Sequence, residues 1–103
     1  MKFGGIDELN YSDFDPARIL ILPVSYEGTV SYGTGTGAGA MAIIDASRNM
    51  ELYEEETDSE VYKLGIHTLP EFTARATPAE MMSDLYQYSA RLLQTGKFIC
   101  MLG

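Results

Sequence analysis

The stretch RILILPVSYEGTVSYGTGTGAGAMAIIDAS, from Arg18 to Ser47, decides the fold of this chain. Its segment Ile19 to Val24 (ILILPV) is apolar on both faces, which is typical of a strand in a parallel sheet that helices cover on each side. We expect the strand ladder to end at Pro23, because proline has no N–H to donate. A glycine-rich loop follows over residues 25–39, and residues 40–49 have a helical pattern. This succession predicts an α/β fold.

Length and composition limit the chain to one small domain or to a part of a larger one. It has 103 residues, of which 46% are apolar, enough for a packed core. The net charge is −8 and the basic residues are scattered, so we expect neither nucleic acid nor a membrane surface as a partner. No apolar run spans a bilayer and no signal-peptide pattern is present. With Cys100 as the single cysteine, a reducing, cytoplasmic location fits best.

Two further strands are predicted downstream. Residues 61–67 (VYKLGIH) predict a strand with a bend at Gly65, and Phe98 to Leu102 (FICML) predict a last strand that is apolar on both faces. A strand of this kind is unfavourable at a sheet edge, so we expect it to lie in the interior of a larger sheet. On this interpretation the fold is incomplete in this chain, and the isolated chain is expected to aggregate.

A second helix has the clearest local signal. Thr77-Pro78-Ala79-Glu80 is a capping box with proline at the first helical position, and Gly96 supplies a stop. Met82 and Leu93 are expected to widen its apolar face. The centre of that face is spaced i, i+4, i+7 and i+11 and consists of Met81, Leu85, Tyr88 and Leu92.

The chain therefore divides into a polar lead-in, residues 1–17, and one domain-forming part, residues 18–103. The lead-in has Tyr11 and Phe14 as expected anchors on the body. The second part has the order strand, loop, helix, strand, helix, strand, which favours a mainly parallel sheet.

The glycine-rich loop admits two interpretations. Residues 35–40 match G-x-G-x-x-A, a variant of the dinucleotide-binding pattern. The match begins eleven residues after Val24 and no P-loop lysine follows, so a small nucleotide-binding domain is the weaker hypothesis. The stronger one is a ligand-site rim, because loops at the carboxyl ends of parallel strands form the binding sites of α/β domains.

The titratable residues predict no metal site of their own. The acidic run at residues 50–60 (MELYEEETDSE) has no calcium-loop spacing and predicts a solvated turn. His67, the single histidine, is predicted to be structural or solvent-facing, and Cys100 is predicted to be a buried structural thiol. The one close aspartate pair, Asp13 and Asp15, precedes the first strand, and with one histidine it does not make a binuclear metal site.

Four segments together resemble the N-terminal part of the ureohydrolases, the arginase–agmatinase family, and its agmatinase-like branch in particular. In that branch a strand ending P-x-x-x-G-T precedes S-Y-G-x-G-T-x-x-G-P-x-A-I and an E-L-Y-D-E-E-like run. Ala40 stands where the family has proline. Residues 98–103 resemble the strand that leads into G-G-E-H-S. The segments are 23–47 (PVSYEGTVSYGTGTGAGAMAIIDAS), 50–56 (MELYEEE), 65–70 (GIHTLP) and 98–103 (FICMLG).

The resemblance implies a three-layer α/β/α hydrolase of which residues 1–103 are the N-terminal portion. It also implies two manganese ions in the full-length protein, whose bound hydroxide attacks a guanidinium carbon. Agmatine as substrate would give urea and putrescine, a step of polyamine biosynthesis. The family's ligand motifs G-G-x-H, D-A-H-x-D and D-x-D-x-x-D-P are not complete in this chain. We therefore expect no metal, no catalytic residue and no activity in this chain alone.

The resemblance also places a substrate mouth on the glycine-rich loop and implies a homo-oligomeric full-length protein. The loop residues expected nearest a guanidino substrate shape the loop and are not catalysts; they are Gly28, Thr29, Ser31, Tyr32 and Gly33. Gly-Glu-His-Ser or a near variant is expected after Gly103. A non-catalytic α/β interaction module is the remaining alternative, and soluble, monodisperse behaviour of residues 1–103 would favour it.

Overall fold

A parallel sheet built around one strand forms the centre of the protein in a computed structural model, which describes residues 1–26, 36–73 and 77–103. The central strand, β1, pairs in parallel with each of the others. The strands are β1 (Ile19–Ser25), β2 (Ile66–Thr68), β3 (Phe72–Thr73) and β4 (Phe98–Leu102). The α-helices are α1 (Leu9–Ser12), α2 (Gly39–Ser47) and α3 (Pro78–Leu93). Short 3₁₀ turns span Phe3–Gly5, Thr36–Ala38 and Val61–Leu64. The predicted α/β class with a mainly parallel sheet is confirmed.

The ladder of β1 continues beyond Pro23, so the prediction that it ends there is wrong. Pro23 pairs with Leu102 of β4, and the next two residues of β1 pair with β3. On the β2 side of β1, Ile21 pairs with Thr68 and the next pair is Val24 with Phe72. Two residues of β1 therefore lie opposite three residues of the partner segment. The N–H that proline lacks therefore falls in an interruption of the ladder, where no partner is needed.

The two faces of β1 are covered by different helices. Leu20 and Leu22 are completely buried and form a core cluster with Leu69 and Leu92, the second of which comes from α3. Successive strand residues face opposite sides of a sheet, so Ile21 and Pro23 belong to the other face. Helix α2 contacts β1, and its side chains Ala40 and Ile44 are buried but do not belong to the leucine cluster. This is expected of a helix that covers the face of Ile21 and Pro23.

Helix α3 begins and ends as the sequence predicts. The Thr77 hydroxyl accepts a hydrogen bond from the Glu80 amide at 3.3 Å, and Gly96 has a φ of +76° just beyond the helix. Met81 and Leu92 are buried and Leu85 and Tyr88 are half-buried, so the apolar stripe is confirmed.

The predicted widening of that stripe is wrong. Met82 and Leu93 are 58% and 64% exposed. Each follows a buried residue directly, and one step along an α-helix turns the side chain by about 100°, away from the core.

The strand predicted over residues 61–67 is only partly present. Its first half, Val61–Leu64, is a 3₁₀ turn, and the strand β2 starts after Gly65. Gly65 has a φ of +90°, which breaks the extended conformation at this point. Its carbonyl accepts hydrogen bonds from the amides of Arg18 and Ile19, both at 3.1 Å, so the bend is fixed to the start of β1. The sequence does not predict strand β3.

Strand β4 lies beside β1 and, within the described residues, pairs with no other strand. Phe98 is 70% exposed and Met101 is 46% exposed. The interior position expected for this strand in a larger sheet stays a prediction.

In the described part of the chain, no helix has both the length and the apolar character needed to cross a membrane.

We predict that Gly65→Ala destabilises the protein far more than Gly96→Ala. A Cβ on Gly65 would lie 2.7 Å from the Cα of Ala17, which is backbone and cannot move aside, and φ is +90°. The expected loss in the free energy of unfolding is about 3 kcal/mol. Gly96 also has a positive φ but nothing within 4 Å of such a Cβ, so about 1 kcal/mol is expected. Urea denaturation of the two variants measures both values, and equal losses would contradict the packing argument.

Candidate functional site at the carboxyl edge of the sheet

Three strands bring their carboxyl ends to one edge of the sheet. Val24 and Ser25, the last residues of β1, pair with Phe72 and Thr73 of β3. On β4, Leu102 pairs with Pro23, and a Cβ built on Gly103 would contact Val24 at 3.9 Å. This edge is where open α/β sheets bind ligands, so it is the candidate functional site.

A side-chain hydrogen bond fixes the exit of β1 at this edge. The Ser25 hydroxyl donates to the carboxylate of Glu71, which precedes β3. The glycine-rich loop leaves the sheet immediately after Ser25. The residues predicted for the substrate mouth lie outside the described residues, so their placement stays a prediction; they are Gly28, Thr29, Ser31, Tyr32 and Gly33.

A cleft of about 390 Å³, the β3–α3 cleft, opens between β3 and α3. One wall is Phe72 stacked on Tyr88, with ring centroids 5.5 Å apart and an interplanar angle of 18°. The guanidinium of Arg91 lies 5.9 Å from the centre of the Tyr88 ring. The cleft is lined by Pro70, Glu71, Phe72, Thr73, Asp84, Gln87, Tyr88 and Arg91.

Local sequence carries only a partial signal for this cleft. Asp84, Gln87 and Arg91 recur at i, i+3 and i+7, so one polar face of the predicted helix carries all three. Glu71, by contrast, lies in a segment that is expected from the sequence to be a loop. Its place opposite that helix follows from the pairing of β3 with β1, which local sequence does not show.

In the acidic segment, residues 50–60, side-chain and backbone groups form hydrogen bonds with one another. The Tyr53 hydroxyl donates to Asp58, and the Glu56 amide donates to the Glu54 carboxylate at 3.0 Å. A bridge between Glu54 and Ser59 closes the turn. These contacts fit the predicted solvated turn.

The residues that could ligate a metal are dispersed. Among the described residues, no three His, Cys, Asp or Glu side chains come together in a way that could hold an ion. Asp13 and Asp15 lie ahead of β1, at the amino end of the sheet. The side chains of the described part therefore do not fit a binuclear manganese site.

His67 and Lys97 stabilise parts of the fold away from the candidate edge. His67 Nδ1 lies 2.9 Å from the carbonyl oxygen of Ser12, and its ring meets Phe14 edge-on. Lys97 Nζ donates to the carbonyls of Asp15 at 3.0 Å and Ala17 at 2.6 Å. Cys100 is a free thiol but only half-buried, so the burial predicted for it is only partly present. Of the two roles predicted for His67, these contacts favour the structural one. The bonds of Lys97 hold its ammonium at the amino end of the sheet.

Fold and edge together define an α/β protein with a candidate ligand-binding rim at the carboxyl ends of its parallel strands. Over residues 17–103 the sequence matches the arginase family, so the chain belongs to that family. This confirms the resemblance inferred from the glycine-rich stretch.

Curated relatives are N(1)-aminopropylagmatine ureohydrolases. That of Synechocystis sp. is 32% identical over 100 residues, which cover 91% of this chain and 32% of the relative. One from Thermus thermophilus is 33% identical over 91 residues, covering 87% of this chain and 31% of the relative. The chain thus spans about a third of the length of the curated relatives it matches. No solved structure matches the chain significantly.

We predict an alkaline titration for Tyr53. Its hydrogen bond to Asp58, followed by desolvation and the charge of Glu60, raises the Tyr53 pKa above the ordinary 10.0. Because the pKa in the folded state is higher than in the unfolded state, the bond stabilises the fold fully below about pH 10. This contribution is lost as pH rises through the raised pKa. Phenolate absorbance, taken as wild type minus Tyr53→Phe, measures the pKa.

Asp58→Asn is the matched control for Tyr53, because it removes the acceptor charge and keeps the phenol. The Tyr53 pKa should then fall toward its ordinary value. An identical titration in the wild type and in Asp58→Asn would show that the hydrogen bond is not the cause.

Proposed function

We propose that this chain is the N-terminal part of a ureohydrolase that cleaves a guanidino compound into urea and an amine. The observation that carries the proposal is the family match over residues 17–103. The order of the glycine-rich segment, the acidic segment and the last strand along the chain supports it. The relatives, named N(1)-aminopropylagmatine ureohydrolases, support an amine-bearing guanidino substrate. Agmatine and N(1)-aminopropylagmatine are the two candidates.

The role proposed for this chain is to build one side of the substrate site. Strand β1 ends at Ser25 and leads directly into the loop that carries Thr29 and Ser31. Hydroxyl and backbone groups of such a loop donate and accept hydrogen bonds without taking part in the chemistry. Gly28 and Gly33 would let the backbone approach a ligand closely, because glycine has no side chain. The loop would orient the guanidino compound and limit its access to water.

Metal chemistry is proposed for the full-length protein and not for this part. Members of the family are expected to use two manganese ions, which supply a hydroxide at neutral pH. The described side chains do not fit such a site, so they are not proposed as manganese ligands. Strand β4 would lead directly into the first metal-ligand motif, G-G-x-H. We also propose that the full-length protein is a homo-oligomer.

The first test is urea release by the full-length protein. With manganese we expect urea from agmatine or N(1)-aminopropylagmatine, and none after removal of the metal by a chelator. Residues 1–103 alone should release none under the same conditions. If the full-length protein with manganese releases no urea from any guanidino compound, the proposal fails.

A second test addresses the loop. Thr29→Ala and Ser31→Ala should each raise KM about threefold to tenfold, the effect of losing one neutral hydrogen bond, with kcat within about twofold. Ser83→Ala is the matched control, because Ser83 is an exposed hydroxyl residue that belongs to α3 and not to the loop segment. A loss of kcat with unchanged KM would assign these hydroxyls to the chemistry and contradict their proposed role.

A further inference from the structure

We propose that the β3–α3 cleft binds an aliphatic diamine or polyamine, which the carboxylates of Glu71 and Asp84 hold through its ammonium groups. The amine comes from one of two sources, the tail of an extended guanidino substrate or a free polyamine. The first source rests on the proposed function, and the second does not.

The charges in the cleft favour a cationic ligand near its two carboxylates. Glu71 immediately precedes β3 and Asp84 lies on α3, and both line the cleft. Within the described residues, the ion pairs are Arg48 with Asp45 and Lys63 with Glu60. Among the described residues, neither cleft carboxylate therefore has an ion-pair partner in direct contact. Glu71 accepts from the Ser25 hydroxyl through one oxygen, which leaves its second oxygen for a ligand.

The stacked rings of Phe72 and Tyr88 provide the apolar wall that a methylene chain needs. Both are half-buried and line the cleft beside the carboxylates. The volume of about 390 Å³ lies within the usual range of roughly 300 to 1,000 Å³ for small-molecule sites. An aliphatic chain with ammonium groups matches an apolar wall that carries carboxylates at its rim.

Arg91 orients the ligand along the cleft. It lies seven residues after Asp84 on the same helix, a separation of about 10 Å along the axis. Its guanidinium carbon lies 5.9 Å from the centre of the Tyr88 ring, and its positive charge repels ammonium groups from that end. The positive groups of a ligand therefore settle toward Asp84 and Glu71. Because Glu71 is bonded to Ser25, this end of the cleft adjoins the start of the glycine-rich loop.

Isothermal titration of spermidine into the full-length protein tests the cleft without reference to catalysis. We expect Asp84→Asn and Glu71→Gln each to weaken spermidine binding about tenfold, the effect of losing one charge-assisted hydrogen bond. Asp84→Glu, which retains the charge, should restore most of the affinity. Glu55→Gln, an exposed carboxylate outside the cleft, is the matched control and should bind spermidine like the wild type. Added salt should weaken the wild type more than Asp84→Asn.

Kinetics identify the source of the amine. If the ligand is a substrate tail, Asp84→Asn should raise KM for N(1)-aminopropylagmatine about tenfold and leave KM for agmatine and kcat within about twofold. If it is a free polyamine, spermidine binding changes and both KM values stay constant. Variants that match the wild type in both spermidine affinity and KM would overturn the proposal. Absence of urea release from the wild type would refute the proposed function, and the spermidine titration would still decide the cleft.

Discussion

The parallel pairing of β1 with all three other strands is the interaction on which the rest of the structure depends. Leu20 and Leu22 are completely buried, so the backbone groups between them have no water to bind and must pair with neighbouring strands. β2 and β4 meet this requirement over the first part of β1, and β3 meets it over the last two residues. None of these short strands pairs with another described strand, so each depends on β1 for its place.

This arrangement gives the two ends of the sheet different roles. At the amino end, Gly65 packs tightly against Ala17, and the Lys97 ammonium joins the chain before β1 to the chain before β4. These contacts use backbone carbonyls and close approach, so they serve stability. At the carboxyl end, Ser25 and Glu71 present side chains beside a loop. Substitutions that change stability and those that change ligand binding should therefore separate along the strand direction.

The sequence predicts the elements that local pattern determines and misses those that pairing determines. β1 and β4 are continuous apolar runs, and α3 has a capping threonine and a regular apolar stripe, so one segment at a time is sufficient to identify them. β3 is two residues long and exists because Val24 and Ser25 offer free ladder positions beyond Pro23. For the same reason the β3–α3 cleft cannot be predicted from local sequence, since Glu71 lies beside the cleft only because β3 pairs with β1. The residues predicted from family resemblance for the substrate mouth lie outside the described residues, so their placement stays a prediction.

The exposure of β4 indicates how stability and function are distributed along the family's fold. Phe98 is 70% exposed on a strand whose opposite edge carries no described partner, and its complete burial would contribute about 2 kcal/mol. A neighbouring strand on that edge, together with a layer packed over the face that carries Phe98, would supply this energy. The stabilising cover of β4 and the proposed metal ligands would then come from the same following segments. If the chain is the N-terminal part of a ureohydrolase, as proposed, this part would supply the rim of the site, and its own packing would reach full stability only where the proposed catalytic segments join it.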